Sequence, residues 1–205
     1  MNNSSRTEQK EREFWNWFLK NEWKYKNIEH SSFISKFRLW QANKRVKKVH
    51  RLLSVYIGSS PGFHGTDYIY ISCECNPDGI PHVRSLISRF PEDHTQSWKA
   101  VPFIPPADSI DDLTIVFKEW TLYPKEIFFE IHRDSKSEKV NIHFYIDSQH
   151  VNQPETMASP LFHLLLEAVG EEIIMSKLGV IDVLPFSKEK YEDAVPFNRI
   201  KEFIG

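Results

Sequence analysis

The sequence predicts an α+β fold: a mostly antiparallel sheet with helices packed against it, in a single domain that opens with a pair of helices. Two observations carry this prediction. Stretches in which apolar and polar residues alternate recur through the middle of the chain, as in strands with one buried face. Stretches with apolar residues every three or four positions, typical of helices, lie before and after them. Such segregation of strands and helices is the α+β arrangement.

Length and composition agree with one globular domain. The 205 residues can bury a sizeable core, and we predict a single domain over 1–205, with its core at about 13–186 and a C-terminal extension at 187–205. Hydrophobic residues make up 40% and charged residues 26%, which argues against wholesale disorder. Aromatic residues make up 14%, which indicates a core built on rings.

The first helix is predicted from Glu8 to about Ile28. It contains the stretch EFWNWFLKNEWKY, in which three tryptophans, two phenylalanines and a tyrosine fall within thirteen positions. We interpret this stretch as a core helix rather than an exposed binding surface. Trp17 and Trp23 are the exceptions, because one helix does not easily bury so wide an apolar arc. If exposed, either tryptophan would be a good interface anchor.

A second helix is predicted over HSSFISKFRLWQANKRVKKVHRLLSVYIG, residues 30–58. Ser31 or Ser32 is the expected N-cap and Gly58 the expected stop. Its predicted apolar face comprises Phe33, Phe37, Trp40, Val46, Val49, Leu53 and Tyr56.

The middle of the chain reads as strands around one short helix. The first strand is predicted at DYIYISCEC, with Cys73 and Cys75 on its apolar side. After the turn NPDG, a short helix is predicted at IPHVRSLISRF, with Pro81 near its first turn. Further strands are predicted at SWKAVPFIPP and at DDLTIVFKEWTL.

A hairpin is predicted at EIFFEIHRDSKSEKVNIHFYID. With a turn centred on Ser135 and Lys136, the aliphatic residues of both strands share one face. The pairs expected on that face are Ile131 with Val140, Phe129 with Ile142 and Ile127 with Phe144. In this register His132 lies opposite Lys139 and His143 opposite Phe128, so the two histidines are expected to be well apart.

The C-terminal part predicts one more helix and one more strand. The helix is expected over SPLFHLLLEAVGEEIIMSKLG, with Ser159 as N-cap, Pro160 at its first position and Gly179 past its end. Gly170, inside it, is expected to mark a close helix contact. The last strand is predicted at VIDVLPF, and the tail that follows is expected to be a loosely docked helix.

Charge is unevenly distributed along the chain. Residues 1–51 contain thirteen Lys and Arg against five Asp and Glu, and no acidic residue lies between Glu29 and Asp67. The segment 36–51 is therefore a candidate contact surface for an acidic protein or a nucleic acid. We favour the interpretation that this helix face is solvated and that the acidic remainder of the chain balances its charge. The candidate contact residues are Lys44, Lys47, Lys48, Arg51, Trp17 and Trp23.

Several stretches together resemble a known family. They are EFWNWFLKNE, YIYISCECNPDGIPHVRSLISRFPED, SWKAVPFIPP, YPKEIFFEI and LLEAVGEEIIMSKLGVIDVLP, and they span roughly 13–186. This set is similar to a bacterial domain family of unknown function. The family occurs alone and fused ahead of a domain similar to the B-type ribonuclease E inhibitor. The resemblance implies a regulatory role and brings no catalytic residues.

Motifs for known chemistry are missing from the sequence. The nine histidines, among them His82 and His94 around the short helix, do not follow His-Glu-x-x-His spacing, and no Cys-x-x-Cys occurs. There is no nucleophile elbow and no glycine-rich phosphate loop, and Glu171 and Glu172 diverge on their helix. We therefore predict no catalytic residue, no metal site and no cofactor.

The functional prediction is a non-enzymatic, inhibitor-like or regulatory domain that binds another protein. Two alternatives stay open: an enzyme whose site is assembled from dispersed His, Asp and Glu residues, and a polyanion- or nucleic-acid-binding protein that uses the basic helix 36–51. No apolar h-region opens the chain and no apolar run is long enough for a bilayer, so a cytoplasmic protein without a membrane partner is expected. The two cysteines, two residues apart on a strand, are expected to be free thiols.

Overall fold

The computed structural model describes residues 3–26, 32–59, 66–91, 97–117, 120–133, 138–147, 157–186 and 194–204. The chain divides into two compact units, Met1–Ile104 and Pro105–Gly205, called unit 1 and unit 2 below. Each unit combines a sheet with helices, and most strand pairs are antiparallel, so the predicted α+β class is confirmed. The single domain predicted over 1–205 stays a prediction.

Unit 1 contains three α-helices and three strands among its described residues. In chain order they are α1 (Asn3–Asn21), α2 (Phe33–Val49), β1 (Ser54–Ser59), β2 (Asp67–Ser72), α3 (Ile80–Ile87) and β3 (Trp98–Pro102), with short 3-10 helices at Glu22–Lys24 and Pro77–Gly79. The strands form one sheet in the order β1-β2-β3, in which β2 pairs antiparallel with β1 and parallel with β3. The predicted N-terminal helical pair and the predicted short helix are therefore present. The strands predicted at DYIYISCEC and SWKAVPFIPP correspond to β2 and β3.

The second predicted helix ends nine residues early. It was expected to run to Gly58, but α2 stops at Val49 and the chain continues as strand β1. In the segment Ser54–Ser59 the buried Val55 and Ile57 lie on either side of the exposed Tyr56, and the segment pairs residue by residue with β2. Branched side chains favour such a half-buried strand once a partner strand is present. Ser32 occupies the N-cap position, while Ser31 lies outside the described residues.

The core of unit 1 is built on rings contributed by α1 and β3. Trp15, Phe18 and Trp98 are at most 1% exposed, and Trp98 meets Phe18 edge-on with ring centroids 5.1 Å apart. The indole Nε1 of Trp15 donates a 2.7 Å hydrogen bond to the carbonyl of Leu86 on α3. The prediction that this aromatic helix forms a core is confirmed for these residues.

Unit 2 contains six strands and three α-helices among its described residues. In chain order they are β4 (Ile115–Phe117), β5 (Trp120–Leu122), β6 (Ile127–Arg133), β7 (Val140–Asp147), α4 (Ala158–Val169), α5 (Glu171–Lys177), β8 (Leu178–Phe186), β9 (Val195–Pro196) and α6 (Ile200–Ile204), with 3-10 helices at Pro124–Glu126 and Phe197–Arg199. The segment predicted as one strand, DDLTIVFKEWTL, forms the two short antiparallel strands β4 and β5.

The main sheet of unit 2 has the order β8-β7-β6-β9. Strands β6 and β7 form the predicted hairpin pair, and β8 joins β7 in parallel. Phe129 and Phe144 face each other across the pair and are at most 1% exposed, so the aliphatic and aromatic face is buried as expected. The expected turn residues, Ser135 and Lys136, lie outside the described part of the chain.

The long C-terminal helix predicted from Ser159 to the residue before Gly179 is in fact two helices. Its N-cap position is Met157 rather than Ser159, and the chain breaks at Gly170 with φ 82° and ψ 159°. A helix needs a negative φ near −63°, so α4 ends here and α5 starts in a new direction. Gly179 lies within strand β8 rather than behind a helix.

The tail is packed into unit 2 instead of docking loosely. Phe197 and Ile200 are fully buried and Ile204 is 4% exposed. Phe197 contacts the Phe144 ring, with centroids 5.9 Å apart. In the described residues no helix is long and apolar enough to cross a membrane.

Candidate functional site

Helix α1 places one tryptophan at the edge of the unit 1 core, and the 3-10 turn behind the helix places another in solvent. Phe14 and Tyr25 are buried, whereas Trp17 is half-buried and Trp23 is 64% exposed. Of the three tryptophans in the stretch 13–25, the two singled out from the sequence are thus the ones that the core does not enclose. Both remain available for contact with another molecule.

Helix α2 buries only part of the predicted apolar face: Val46 and Val49 are buried as predicted, whereas the aromatic members are not. Ser35, Ala42, Val46 and Val49 point inward, and they lie within a narrow arc when drawn at 3.6 residues per turn. These residues are small or branched, which lets α2 approach its neighbours closely. The aromatic half of the predicted apolar face is exposed instead: Phe33 is 84%, Phe37 49% and Trp40 55% exposed.

The exposed face of α2 combines aromatic rings and cations. Counting from Phe33, the positions i+4, i+7, i+11 and i+15 hold Phe37, Trp40, Lys44 and Lys48, which helical spacing places along one side. Phe37 and Trp40 stack on each other with centroids 5.7 Å apart and an interplanar angle of 23°. The first half of this face is therefore apolar and the second half basic.

An open groove of about 410 Å³ lies between α1 and α2. It is called the basic groove below, and its lining is Trp17, Asn21, Lys24, Trp40, Gln41, Lys44, Arg45 and Lys48. Two of its cations lie over its rings: Lys44 Nζ is 5.1 Å from the Trp40 ring centroid, and the Arg45 guanidinium carbon is 5.4 Å from that of Trp17. The groove thus offers aromatic surface and positive charge together.

Ion pairs do not neutralise these cations in the part of the chain that the structure describes. No described carboxylate forms a salt bridge with Lys44, Arg45, Lys47, Lys48 or Arg51. All five side chains are exposed. Arg51 follows α2, directly after His50 in the chain. Charges of this kind are free to meet an external anion.

Hydrogen bonds connect the residues just after α1 with α2, next to the groove-lining residue Lys24. Arg38 Nη1 donates to the Lys24 carbonyl at 2.7 Å, and Lys24 Nζ donates to Asn21 Oδ1 at 2.7 Å. The Tyr25 hydroxyl lies 3.3 Å from the carbonyl of Arg38. Burial raises the pKa of Tyr25 to about 12, against the opposing effect of the Arg38 charge. One cationic donor, Arg38, and one neutral donor, Tyr25, therefore connect the residues just after α1 with the first half of α2.

A second cluster lies on the exposed face of the β6–β7 pair in unit 2. The observed register pairs Glu130 with His143 and His132 with Asn141, two residues away from the predicted register. His132 and His143 are consequently neighbours, with ring centroids 4.3 Å apart, and the expectation that they lie well apart is wrong. A shift by two residues keeps every side chain on its predicted face, so the alternation pattern could not reveal it.

Further contacts surround this cluster. The Tyr145 hydroxyl donates to Glu130 Oε2 at 2.8 Å, and His132 Nε2 lies 3.5 Å from the same oxygen. On the other side His143 Nε2 lies 3.4 Å from Asp182 Oδ2, on β8. Glu130 and His132 also form part of the wall of an open groove of about 670 Å³. Glu130, Tyr145 and Asp182 are not among the residues predicted from the sequence, because only the strand register brings them together.

The remaining candidates from the sequence do not form a site. His82 stacks on His50, with ring centroids 3.6 Å apart, and His94 lies outside the described residues. Burial, followed in effect by the charges of His82, Arg51 and Lys10, lowers the pKa of His50. Cys73 is buried and Cys75 half-buried, and both are free thiols, as the sequence predicts.

Comparison of the sequence with models of known protein families found no match, and comparison with curated proteins found none either.

Proposed function

We propose that the chain is a protein-binding domain whose basic groove takes an acidic segment of a partner protein. The observation that carries the proposal is the set of exposed cations, without a described carboxylate partner, beside the exposed Trp40 and the half-buried Trp17. Positively charged side chains attract the carboxylates of a partner protein across an interface. Aromatic side chains, tryptophan above all, are enriched among the residues that contribute most of the binding energy.

The apolar half of the exposed α2 face supports a protein as the partner. Phe33 and Ile34 are 84% and 60% exposed and lie side by side with Phe37. An exposed apolar patch at the border of a charged one is typical of protein interfaces, where aliphatic contacts match the side chains of the partner. The partner segment would therefore be acidic at one end and apolar at the other.

We also propose that the domain regulates its partner protein and that it acts in a reducing compartment. The free thiols of Cys73 and Cys75 support such a compartment, such as the cytoplasm. The resemblance to the bacterial domain family found ahead of a ribonuclease-inhibitor-like domain supports regulation by binding. Steric occlusion of a partner's acidic segment would be the simplest form of such inhibition.

One observation favours single-stranded nucleic acid as a second candidate. The stacked pair of Phe37 and Trp40, followed by Lys44 and Lys48 along the helix, resembles an aromatic platform in a positive groove. Bases stack on such rings without regard to sequence, and phosphates pair with the cations. The two candidates predict different preferred probes.

The test measures fluorescence anisotropy of two labelled probes with the full chain. One probe is a peptide with an acidic half and a Leu- and Phe-containing half; the other is oligothymidylate. The first variant carries Lys44→Gln, Lys47→Gln, Lys48→Gln and Arg51→Gln. The matched control loses the same number of charges at exposed positions of unit 2, by Lys125→Gln, Arg133→Gln, Lys139→Gln and Lys177→Gln.

We expect the peptide to bind the native chain and to bind the first variant at least about tenfold more weakly, while the control changes affinity by less than about threefold. Trp40→Ala should also weaken peptide binding about tenfold, as hot-spot tryptophans do. Raising salt from about 50 to about 200 mM should slow association. Equal losses in variant and control would contradict the proposal, and tighter binding of oligothymidylate that fails in the first variant would establish the nucleic-acid function instead.

A further inference from the structure

The exposed face of the β6–β7 pair gathers a carboxylate and two imidazoles. Glu130 lies directly opposite His143, and His132 lies two residues along β6 on the same face. One ligand atom from each of the three side chains can be chosen so that all lie within 4.8 Å of one another. This is the only such group of three among the described residues. The strand register, rather than any sequence motif, creates it.

The donor set fits a zinc-class cation. Two imidazole nitrogens and one carboxylate oxygen form a common ligand set for Zn²⁺. A tetrahedral zinc ion holds its ligand atoms about 3.4 Å apart, so the side chains need to close by little more than 1 Å. The side chain of His132 is 50% exposed and that of His143 is 29% exposed, which leaves their rings room to turn.

Neighbouring groups already orient two of the ligands. The Tyr145 hydroxyl, from a buried side chain, donates to Glu130 Oε2 at 2.8 Å. Asp182 brings a second carboxylate to within 3.4 Å of the His143 imidazole. Carboxylates and hydroxyls behind metal ligands fix the ligands' orientation and raise metal affinity. Such a second layer distinguishes this cluster from histidines that merely share a strand face.

The cluster is also accessible from solvent. Glu130 and His132 help to form the wall of the open groove of about 670 Å³, to which Val195, Glu202 and Phe203 also contribute. Three protein ligands leave a coordination position for water or a small ligand, which is the arrangement of catalytic rather than structural zinc sites. Chemistry at this ion would therefore take place at the rim of that groove.

We propose that Glu130, His132 and His143 bind a divalent cation of the Zn²⁺ class, with Tyr145 and Asp182 as supporting groups. The site belongs to unit 2 and is independent of the function proposed for the basic groove. It also gives a location to the alternative of an enzyme assembled from dispersed His, Asp and Glu residues.

The proposal is tested by isothermal titration of the full, tag-free and chelator-treated chain with zinc chloride. We expect one tight site per chain. His132→Gln and His143→Gln should each weaken zinc affinity by more than about 100-fold, and Tyr145→Phe by about tenfold, the range for supporting groups. The matched control is His163→Gln, which removes an exposed histidine of α4 in the same unit and should leave the affinity unchanged.

Two further measurements make the outcome decisive. Circular dichroism in chelator shows whether each variant folds, and the half-exposed His132 gives a variant expected to fold normally. Zinc should raise the thermal midpoint of the native chain but not that of His132→Gln, because only a ligand of the folded state stabilises it. The proposal is overturned if the native chain shows no zinc site, if the folded His132→Gln variant keeps native affinity, or if the control loses as much affinity as the site variants.

Discussion

Glu11 shows how much one buried charge depends on its partner. Its side chain is 1% exposed, and Arg89 Nε donates to its Oε2 at 2.7 Å. Its second oxygen, Oε1, has no hydrogen-bond partner in the described structure. A carboxylate taken out of water needs such a counter-charge, since its loss leaves an uncompensated buried ion.

Removing this partner should strongly destabilise the fold. We expect Arg89→Leu to lower the free energy of unfolding by about 3 kcal/mol in urea titrations. Arg12→Leu is the control, because Arg12 is 69% exposed and meets Glu8 only at 4.0 Å. It should change stability by less than about 0.5 kcal/mol. Similar values for the two variants would show that Glu11 does not rely on Arg89.

His50 should make stability depend on pH. Burial, then His82, Arg51 and Lys10, lowers its pKa in the folded chain, and the weak 3.4 Å contact from the Leu52 N–H to its Nδ1 also suits a neutral ring. The unfolded chain keeps the ordinary value near 6.5 and therefore binds more protons below that pH.

The sign of this effect follows from the lowered value. Stability should fall as the pH drops from about 7 through the folded-state pKa of His50, because protons then favour the unfolded chain. We expect His50→Gln to lose less unfolding free energy than the native chain over this range, measured by urea titration at several pH values. Parallel stability profiles for the two proteins would argue against the prediction.

At the scale of single elements, Gly170 decides that one apolar stretch becomes two helices. Its φ of 82° with ψ of 159° belongs to a region that side-chain-bearing residues avoid. The Gly170 N–H still closes α4 on the Leu166 carbonyl at 2.8 Å, and its own carbonyl accepts from the Ile174 N–H of α5 at 3.3 Å. Glycine therefore permits the backbone conformation that separates α4 from α5.

Gly170→Ala should therefore be strained. We expect a loss of about 1–3 kcal/mol in the free energy of unfolding, the usual cost of such a backbone conformation. Glu167→Ala, at an exposed position of α4, is the control and should change stability by less than about 0.5 kcal/mol. If Gly170→Ala proved as stable as this control, α4 and α5 would have to accommodate a different backbone at their junction.

The buried side of α2 and the register of the β6–β7 pair both differ from what the sequence pattern predicts. Helix α2 carries an aromatic stripe and a stripe of small and branched residues on opposite sides, and periodicity does not say which of them is buried. The side with the small and branched residues is the buried one, because Ala42 and Val46 permit close packing. In the β6–β7 pair, alternation fixed the faces but allowed a register two residues away.

Across the whole molecule, charge and aromatic surface are distributed unevenly. Residues 1–51 hold an excess of cations, and the cations from Lys44 to Arg51 meet no described carboxylate. The same region exposes Trp23, Phe33 and Trp40. Net charge is only −2, so this basic surface is a local property rather than a property of overall composition.

Local patterns in the sequence predict the α+β class, the buried aromatic helix, the hairpin faces, the free thiols and the candidate cations. These features rest on local spacing, which each segment carries within itself. The folded chain alone shows that α2 turns its rings outward, that Gly170 divides a helix, and that Glu130, His132 and His143 meet. Those outcomes depend on which distant segments compete for the same core and on strand register, and both are set by packing between residues far apart in the chain.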